Sequence, residues 1–481
     1  MFSSFLDTLD SIVWGIPTII LILATGLILT IRLRGMQFTK LGRALKSIFR
    51  KSDDGNGEVS SFGALCTSLS ATIGTGNIVG VATAIGTGGP GALFWMWIAA
   101  LFGIATKYTE CMLAVKYRQV QPDGHILGGP FYTIEKGMGA KWKWLAVLFA
   151  AFGVGAGLLG IGTMTQINGI TTAVNNAFDP SNSSIAFTIA GNAYSWATVI
   201  SGAFVTIFAA LVIIGGLKRI SNFAQVIVPF MAVIYVFLGL SVLLMNATKI
   251  PEAFAIIFKN AFGWKAAAGG AAGWVFKQVT DSMRQGIARG IFSNEAGLGS
   301  AAIAASSAQV DEPVAQGLVS MTGTFIDTII ICTMTGLAIV IAFYTGEAAP
   351  MGVGELKGVA ITSTAFSRVL GGDGQSVQFL LMICLIFFAF TTILGWDYYS
   401  ERCIEYLTNG KMKIVKFYRA LYIIAIAIGP YMTISAVWTI ADITNGLMAI
   451  PNCISLIALS GVAAKITKEY FNKYPTLESE K

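Results

Sequence analysis

Two short polar stretches interrupt long apolar segments of the sequence, and their residue types suit the binding of a small charged molecule. The first is GTGN at residues 74–77, inside LSATIGTGNIVGV, and the second is SNEAGLG at residues 293–299. Glycine and asparagine are poor helix formers, so both stretches are expected to break a helix. A broken helix offers backbone N–H groups to a carboxylate and free carbonyl oxygens to a sodium ion. Glycine also permits close helix packing, so each stretch alone is open to a purely structural interpretation.

Both stretches lie in a chain whose composition predicts several membrane crossings. Of its 481 residues, 55% are hydrophobic and only 12% are charged, against about 25% charged residues in soluble domains. A spanning helix needs about 20 apolar residues, and the absence of strict strand-like alternation argues against a barrel. We predict an all-α integral membrane protein with about eleven transmembrane helices, at residues 12–33, 61–87, 90–117, 141–176, 196–217, 220–247, 270–304, 314–343, 375–405, 414–431 and 434–465.

Two of these spans are irregular. The seventh carries five charged residues and would fail a simple hydropathy test. The last contains Pro451 and is open to division into two pieces. The first span has no preceding Lys or Arg and is too long for a signal-peptide core, so we predict that it is retained. The six cysteines show no metal-type spacing, and the single His125 argues against a histidine-based metal site.

Basic residues concentrate in alternate loops, and this pattern predicts the orientation. The loop that begins at Arg32 and ends at Lys51 holds seven Lys or Arg, whereas the loop NNAFDPSNSSIAFTIAGNAYS holds none. Because basic loops stay on the cytoplasmic side, the N-terminus is predicted to lie outside the cell membrane and the C-terminus inside. The net charge of +7 is thereby explained without a nucleic-acid partner.

Three acidic residues within predicted spans are candidates for coupling or gating, because a charge inside the membrane is costly. Glu110 is expected to pair with Lys107 or with the seventh span. Glu295 lies inside the second polar stretch. Asp327 is open to two interpretations: a cation ligand, or a structural hydrogen-bonding partner of neighbouring backbone. A second set of charged residues consists of Asp281, Arg284 and Arg289, which are expected either to act in gating or to be simply solvated. A role in a gate is one interpretation of Asp442.

Spans 2 and 3 resemble spans 7 and 8 in the order of their features. Each pair has a Gly- and Asn-rich break, then small residues, then a turn with proline, then a long helix. Five spans separate the two pairs, so they begin on opposite sides of the membrane. Interrupted helices at matching places of two inverted halves are the best sequence indication of a transporter's binding site.

Four motifs resemble the alanine or glycine:cation symporter family: GTGNIVGVATAIGTGGPGALFWMWIAALFGIATKYTE, GGPFYTIEKGMG, SNEAGLGSAAIAA and GWDYYSERC. The similarity runs from about residue 60 to about residue 465. The family is a branch of the amino acid–polyamine–organocation superfamily, with a LeuT-type fold of two inverted five-helix repeats. The resemblance implies import of alanine or glycine, driven by co-transported sodium, without a further cofactor.

The resemblance also divides the chain into four regions. Residues 1–59 would form an extra N-terminal helix and a basic cytoplasmic loop, and residues 466–481 a cytoplasmic tail. The LeuT-type core would be spans 2 to 11, with its first repeat at residues 60–247 and its second at residues 248–465.

Matching the family's motifs to this sequence gives candidate substrate residues. Backbone amides of Thr75 and Gly76 would hold the amino acid carboxylate, and the Asn77 side chain would help to bind a first sodium ion. The family pattern makes Gln166 a side-chain contact to substrate and gives Trp396 the role of capping the pocket. Three residues of the second break complete the set: Ser293, Asn294 and Gly297.

A second sodium site is implied by a pair of hydroxyl residues. Thr391 and Thr392 resemble the family's paired hydroxyls, which act together with carbonyl oxygens that would here belong to Ser70 and Ile73. The threonine at position 75 and the acid at position 295 depart from the LeuT-type pattern, so the second sodium site is better supported than the first.

Three alternatives to sodium symport remain at the level of sequence. A proton-coupled carrier of the same fold would need a titrating group in place of sodium, and Glu295 keeps that hypothesis open. An intramembrane enzyme is disfavoured because no paired-acid metal motif or His cluster is present. A channel is disfavoured because two broken helices indicate an occluding site rather than a repeated pore lining. The oligomeric state is left open.

Overall fold

The computed structural model describes residues 2–50, 57–189, 191–263, 272–346, 352–371, 374–432 and 434–480, and this part of the chain is mainly helical. The start of the predicted seventh span at residue 270 and Lys51 of the basic loop lie outside the described residues. The first half contains α1 (Phe2–Val13), α2 (Ile16–Arg32), α3 (Met36–Thr39), α4 (Leu41–Ser47), α5 (Ser61–Thr72), α6 (Val81–Gly88), α7 (Gly91–Tyr117), α8 (Pro130–Tyr132), α9 (Lys143–Leu159), α10 (Met164–Phe178), α11 (Trp196–Ile213) and α12 (Gly216–Met245).

The second half has nine helices in the described residues, which are α13 (Ile250–Ala261), α14 (Ala272–Asn294), α15 (Ser300–Ser306), α16 (Pro313–Thr324), α17 (Thr333–Tyr344), α18 (Val359–Leu370), α19 (Gly374–Leu407), α20 (Met412–Ile428) and α21 (Ile434–Lys473). The described part of the chain also has π-helical turns at Gly76–Gly80, Thr133–Met138 and Phe325–Cys332. Short 3₁₀ turns occupy Ala140–Trp142, Ala247–Lys249, Gly429–Tyr431 and Glu478–Glu480. Two small antiparallel hairpins pair β1 (Gln119–Val120) with β2 (Ile126–Leu127) and β3 (Ile185–Ile189) with β4 (Asn192–Ser195).

The first predicted break is present between α5 and α6. The Ser60 hydroxyl caps α5 by accepting a hydrogen bond from Gly63 N at 3.0 Å, and the helix ends where Ile73 is extended, with φ −78° and ψ 94°. The chain then re-enters a helix through the π turn, and the two parts are bent by 48°. A Cβ on Gly74 would lie 2.5 Å from Thr392 Oγ1, so glycine is required where α19 approaches this break.

The second predicted break separates α14 from α15. Glu295, Gly297 and Gly299 have positive φ values of 57°, 97° and 78°. Left-handed backbone is unfavourable for residues other than glycine. The two glycines therefore explain why the helix can stop here, and Glu295 carries strain that its surroundings must hold.

Most predicted spans correspond to helices, although the predicted number of eleven stays a prediction. Within the described residues, eight helices are long and apolar enough to cross a membrane, and the bent pair formed by α5 and α6 makes a ninth if it is one span. The predicted seventh span is not among these nine, which agrees with the expectation that its charges would make it fail a hydropathy test. The predicted tenth span corresponds to α20, which has 17 residues and is not among these nine.

The structure adds detail to two predicted spans and contains elements that were not predicted. The last span is one helix, because α21 continues through Pro451, and proline is tolerated in membrane helices whose neighbours satisfy the freed backbone. The predicted fourth span contains two helices, α9 and α10, with an irregular turn at Gly160 between them, and together they make one of the eight candidate spans. Helices α13 and α18 and the β3–β4 hairpin were not predicted, since each is shorter than a membrane crossing.

The packing places both breaks in the middle of the bundle. Helix α7 packs against α14, α16 and α15, while α19 packs against α5, α9, α10 and α12. Two large apolar clusters lie on either side of the breaks, one joining α6, α12, α17 and α19, the other joining α9, α15, α19 and α20. The N-terminal helices α1 and α2 lie outside this arrangement and pack against α21.

Candidate functional site

The two breaks touch each other. A Cβ on Gly76 would lie 3.0 Å from Ser293 Cα, so the backbones of the first and second breaks are in direct contact. All residues from Gly74 to Asn77 and from Ser293 to Gly299 are buried. The fold therefore brings two regions about half a chain apart into one enclosed polar centre.

Two backbone amides of the first break are held by side-chain oxygens. Thr75 N donates to Gln166 Oε1 at 3.1 Å, and Gly74 N donates to Asn77 Oδ1 at 3.0 Å. The Gln166 amide is itself fixed, because its Nε2 donates to Ile161 O at 2.9 Å in the turn before α10. A carboxylate oxygen could accept from the same two amides. The sequence analysis named the amides of Thr75 and Gly76 instead, and their role stays a prediction.

Asp327 lies beside the contact between the breaks. Its carboxylate accepts hydrogen bonds from Asn77 Nδ2 at 2.6 Å, from Ser293 Oγ at 2.9 Å and from Thr328 Oγ1 at 2.8 Å. Asn294 Nδ2 extends the group by donating to Thr328 Oγ1 at 3.0 Å. No ion pair to Asp327 is found in the part of the chain that the structure describes.

The cluster around Asp327 has the chemistry of a hard-cation site. It combines a carboxylate with the hydroxyl oxygens of Ser293 and Thr328, and oxygen ligands are those that hard cations prefer. Asn77 and Asn294 turn their N–H groups towards the cluster. It also lies in the π turn Phe325–Cys332, and π turns within α-helices are frequent at functional sites. One interpretation of the sequence was that Asp327 makes a structural hydrogen bond to neighbouring backbone. Its carboxylate instead bonds to side chains of the two breaks and of its own turn.

The predicted second sodium site is brought together only in part. Thr392 Oγ1 lies 3.4 Å from Ile73 O and donates to Phe388 O at 3.0 Å. Thr391 Oγ1 donates to Phe387 O and Phe388 O, each at 3.0 Å, and contacts Met231 Sδ at 3.7 Å. Thr392 therefore faces the first break, whereas the Thr391 hydroxyl contacts α12.

Ser70 completes the description of this site. Its hydroxyl donates to Thr67 O at 2.8 Å inside α5. Helices α5 and α19 are in close contact one turn away, where a Cβ on Gly395 would lie 2.7 Å from Ala71 Cβ. Ile73 and Thr392 thus lie at the interface between α5 and α19, and Ser70 precedes Ala71 of that interface on α5.

Glu295 and Trp396 form a second buried layer next to the breaks. Trp396 Nε1 donates to Glu295 Oε1 at 2.7 Å, and Ser300 Oγ donates to Oε2 at 2.9 Å. Thr72 Oγ1 lies 3.4 Å from the same Oε2. The family pattern gives Trp396 the role of capping the pocket, whereas here its indole donates to Glu295 of the second break. Through its three contacts Glu295 joins α5, α15 and α19.

Glu110 binds the second break from α7. Its Oε1 accepts from Gly297 N at 2.8 Å and from Asn452 Nδ2 at 2.7 Å, and the same Nδ2 donates to Gly297 O at 2.8 Å. The predicted contact of Glu110 with the seventh span is therefore found. Gly297 is held by Glu110 and Asn452, and in the part of the chain that the structure describes no hydrogen bond joins it to Asn77. Among the described residues the buried Lys107 Nζ has no hydrogen-bond partner. Asn452 was missed by the sequence analysis, although an asparagine after Pro451 in an apolar helix was a signal.

A charged pair lies at the end of the bundle where α21 begins. Arg289 on α14 donates to Asp442 on α21 through two bonds of 2.8 and 2.6 Å. The Arg289 guanidinium also lies over the rings of Trp438 and Phe292, which are 4.9 Å apart. This pair, together with the two neighbouring rings, links the first half of the second broken helix to α21.

The opposite end of the bundle is held by backbone and loop contacts. Arg118 donates to Ser306 O, Ala308 O and Val310 O at 2.9, 2.7 and 2.9 Å. Tyr398 and Ser307 share a hydrogen bond of 2.5 Å. These contacts cover the C-terminal end of α15.

The β1–β2 hairpin is fixed at this same end. His125 Nε2 lies 2.5 Å from Glu405 Oε1 on α19, and its Nδ1 contacts Asp123. Hydrogen bonds from the His125 backbone N–H and ring lower the pKa of the Asp123 carboxyl. The hairpin is thereby attached to α19.

The residues of both breaks are buried within the part of the chain that the structure describes. Two surface clefts flank α10, one lined by Asn168, Asn175 and the β3–β4 hairpin and the other by Asn176, α18 and α19. No residue of either break lines these clefts. A bound molecule would be enclosed, and either end must open for it to leave.

Two interrupted helices whose breaks touch inside an α-helical bundle are typical of transporters with the LeuT-type fold. In agreement, the crystal structure of MhsT with L-phenylalanine superposes with a TM-score of 0.57 at 16% identity, covering 86% of this chain and 99% of that chain. The family model described as the sodium:alanine symporter family matches residues 1–481, and the chain belongs to this family. Sodium/alanine symporter AgcS of Methanococcus maripaludis is 45% identical over 98% of this chain and 97% of its own length. An uncharacterized transporter of Haemophilus influenzae is 49% identical over 98% and 96%.

These findings confirm the predicted family, the all-α LeuT-type fold and the multi-pass membrane class. The protein is a transporter and not an enzyme, and sodium is the co-transported ion of its family. The four predicted regions, the individual site residues and the orientation of the termini stay predictions.

Proposed function

We propose that the protein imports a small neutral amino acid, alanine or glycine, together with sodium by alternating access. The observation that carries this proposal is the contact between the two breaks, where the Asn77 side chain joins the Gly74 amide to the buried carboxylate of Asp327. The next amide of the break, that of Thr75, bonds to Gln166. A zwitterion and a cation need such neighbouring donors and acceptors. The relative AgcS, which is named a sodium/alanine symporter, supports alanine as the first substrate to test.

In the proposed complex, the substrate carboxylate accepts hydrogen bonds from the backbone of the first break. Gln166 Oε1 at present accepts from Thr75 N at 3.1 Å, so a bound carboxylate would replace the glutamine at this amide. The close approach of Gly76 to Ser293 limits the volume next to the substrate. Small side chains are therefore favoured.

Sodium is proposed to bind at two candidate positions. The first is the cluster of Asp327, Asn77, Ser293 and Thr328, where a carboxylate would offset the charge of the ion. The second is the α5–α19 interface of Ser70, Ile73 and Thr392, with the neighbouring Thr391 as a further candidate. Sodium and substrate would tighten each other's binding by the same factor, as linkage requires.

The two ends of the bundle supply the gates in this proposal. With the N-terminus outside, the Arg289–Asp442 pair belongs to the outer gate and the Arg118 contacts belong to the inner gate. Glu110 and Glu295 hold the second break between them and would transmit its movement to α7 and α19. Each gate would open only after the other has closed.

Proton coupling is the second candidate function, and the observation that favours it is the absence of an ion pair to Glu295 or Asp327 among the described residues. A carboxyl group in such a position can exchange a proton instead of binding a metal ion. The experiment that separates the two is uptake of radiolabelled alanine into proteoliposomes under a sodium gradient or a proton gradient. Uptake driven by sodium alone supports the proposal, and uptake driven by protons alone contradicts it.

A further inference from the structure

The extra N-terminal helices contact the candidate outer gate directly. Trp14 directly follows α1 and has only 2% of its surface exposed, and its Nε1 donates to the backbone oxygen of Asp442 at 2.8 Å. Val13 and Trp14 belong to one apolar cluster with Ile287 on α14 and Ile443 on α21. The helix that precedes the ten-helix core is thus anchored at the gate residue itself.

The contact between Trp14 and α21 requires a glycine one helical turn later. A Cβ on Gly446 would overlap Val13 Cγ1 and would lie 3.2 Å from Trp14 Nε1. A side chain at position 446 would therefore keep α1 away from α21. Hence the seat for the indole is formed by the backbone of α21 between Asp442 and Gly446.

The same helix also reaches the other side of the gate. Asp10 Oδ2 on α1 lies 3.3 Å from Arg284 on α14, five residues before Arg289. Trp14 thus contacts α21, which carries Asp442, and Asp10 contacts α14, which carries Arg289. If α14 and α21 separate, at least one contact of α1 must break.

We propose that Trp14 is a positioning residue that, with Asp10, clamps α14 to α21 and holds the outer gate closed. The assignment of the gate comes from the proposed function, and the clamp rests on it. Trp14 touches neither substrate nor ion. Its loss shifts the population towards the outward-open state, because a contact present only in the closed state is removed.

Cys332 provides a natural reporter of that shift. Its thiol is fully buried in the polar centre, with Sγ 3.3 Å from Asn77 Nδ2. An impermeant maleimide applied outside intact cells can reach it only when the outer gate opens. Mass spectrometry of the peptide that contains Cys332 gives the modification rate without requiring transport.

The test compares Trp14→Phe, which keeps an aromatic ring but removes the N–H donor, with Gly446→Ala, which displaces α1 without altering a gate side chain. Trp144→Phe is the matched control, since Trp144 is 56% exposed. Both test variants should raise the Cys332 modification rate by roughly threefold to tenfold, the effect of one buried hydrogen bond, while the control matches the wild type. Asp442→Asn opens the gate directly and should raise the rate as well.

Wild-type rates in both test variants, with a raised rate in Asp442→Asn, would overturn the clamp and leave the gate intact. Raised rates in the test variants without an effect of Asp442→Asn would also contradict it, because the clamp is proposed to act through that gate. Failure of the proposed function is separate, since it would appear as absent alanine uptake by the wild type. Thermal unfolding of each purified variant verifies that the protein is folded.

Discussion

Neighbouring threonines on α19 are predicted to differ in their effect on sodium. Thr392 Oγ1 lies 3.4 Å from Ile73 O at the first break, whereas Thr391 Oγ1 contacts Met231 Sδ on α12 at 3.7 Å. Replacement of each by valine removes one hydroxyl and keeps the shape of the side chain. The same chemical change one residue apart therefore tests which hydroxyl serves the ion.

The expected magnitude follows from the kind of interaction that is lost. A hydrogen-bonding contact to a charged group contributes about 1.5–3 kcal/mol, which corresponds to roughly tenfold to 150-fold in affinity. Thr392→Val should raise the half-saturating sodium concentration by that factor. Thr391→Val loses bonds to its own helix and to Met231, so its sodium dependence should change by roughly threefold or less.

The assay is alanine uptake by proteoliposomes over a range of external sodium concentrations, with alanine saturating. Thermal unfolding in detergent controls for folding. Equal effects of the two substitutions, or an unchanged half-saturating concentration in Thr392→Val, would refute the assignment of Thr392 as the ion ligand. If only Thr391→Val impaired the sodium dependence, the hydroxyl of Thr391, and not that of Thr392, would bind the ion.

Three further predictions concern the breaks and the buried acids. Gly76→Ala should abolish uptake, because its added Cβ would lie 3.0 Å from Ser293 Cα. Gly80→Ala lies in the same π turn and should retain uptake, because its added Cβ would meet no atom within 4 Å. Asp327→Asn should reduce the apparent sodium affinity by roughly tenfold or more, because a charged ligand is lost; sodium titration of uptake would reveal an unchanged affinity if Asp327 were only structural. Asn452→Ala should lower the free energy of unfolding by about 1–3 kcal/mol, because Glu110 and the Gly297 carbonyl each lose a buried partner; chemical unfolding in detergent measures this, and wild-type stability would contradict the bonding described.

The sequence allowed the breaks to be predicted, but not the contacts of several side chains around them. Residues 74–77 and 293–299 stand out because glycine and asparagine interrupt apolar runs, which is a local property. The rotation of α19 is not local: it is set by packing against α5 and α12, and it decides that Thr392, and not Thr391, faces Ile73. The partners of Asp327 were also hidden, because Asn77 lies 250 residues away in the chain.

The role of Trp396 could not be predicted for a related reason. A tryptophan in a transporter core is suited both to cover a ligand and to donate a hydrogen bond. The choice depends on where the acid at position 295 points, and that follows from its left-handed backbone, with φ 57°. Sequence shows that an acid lies in the break, whereas only the fold shows that Trp396 Nε1 lies 2.7 Å from it.

The bonds made by the first break explain how a helix can be interrupted in a bilayer and still release its ligand. An unpaired backbone N–H in hydrocarbon costs several kcal/mol, so an empty break would be unstable. Gln166 and Asn77 remove that cost by accepting from Thr75 N and Gly74 N. A substrate carboxylate at the Thr75 amide would then exchange one acceptor for another, and its net binding energy would be much smaller than that of a bond formed with a bare amide. Such an exchange suits a carrier, because a substrate that is bound too tightly on one side cannot leave on the other.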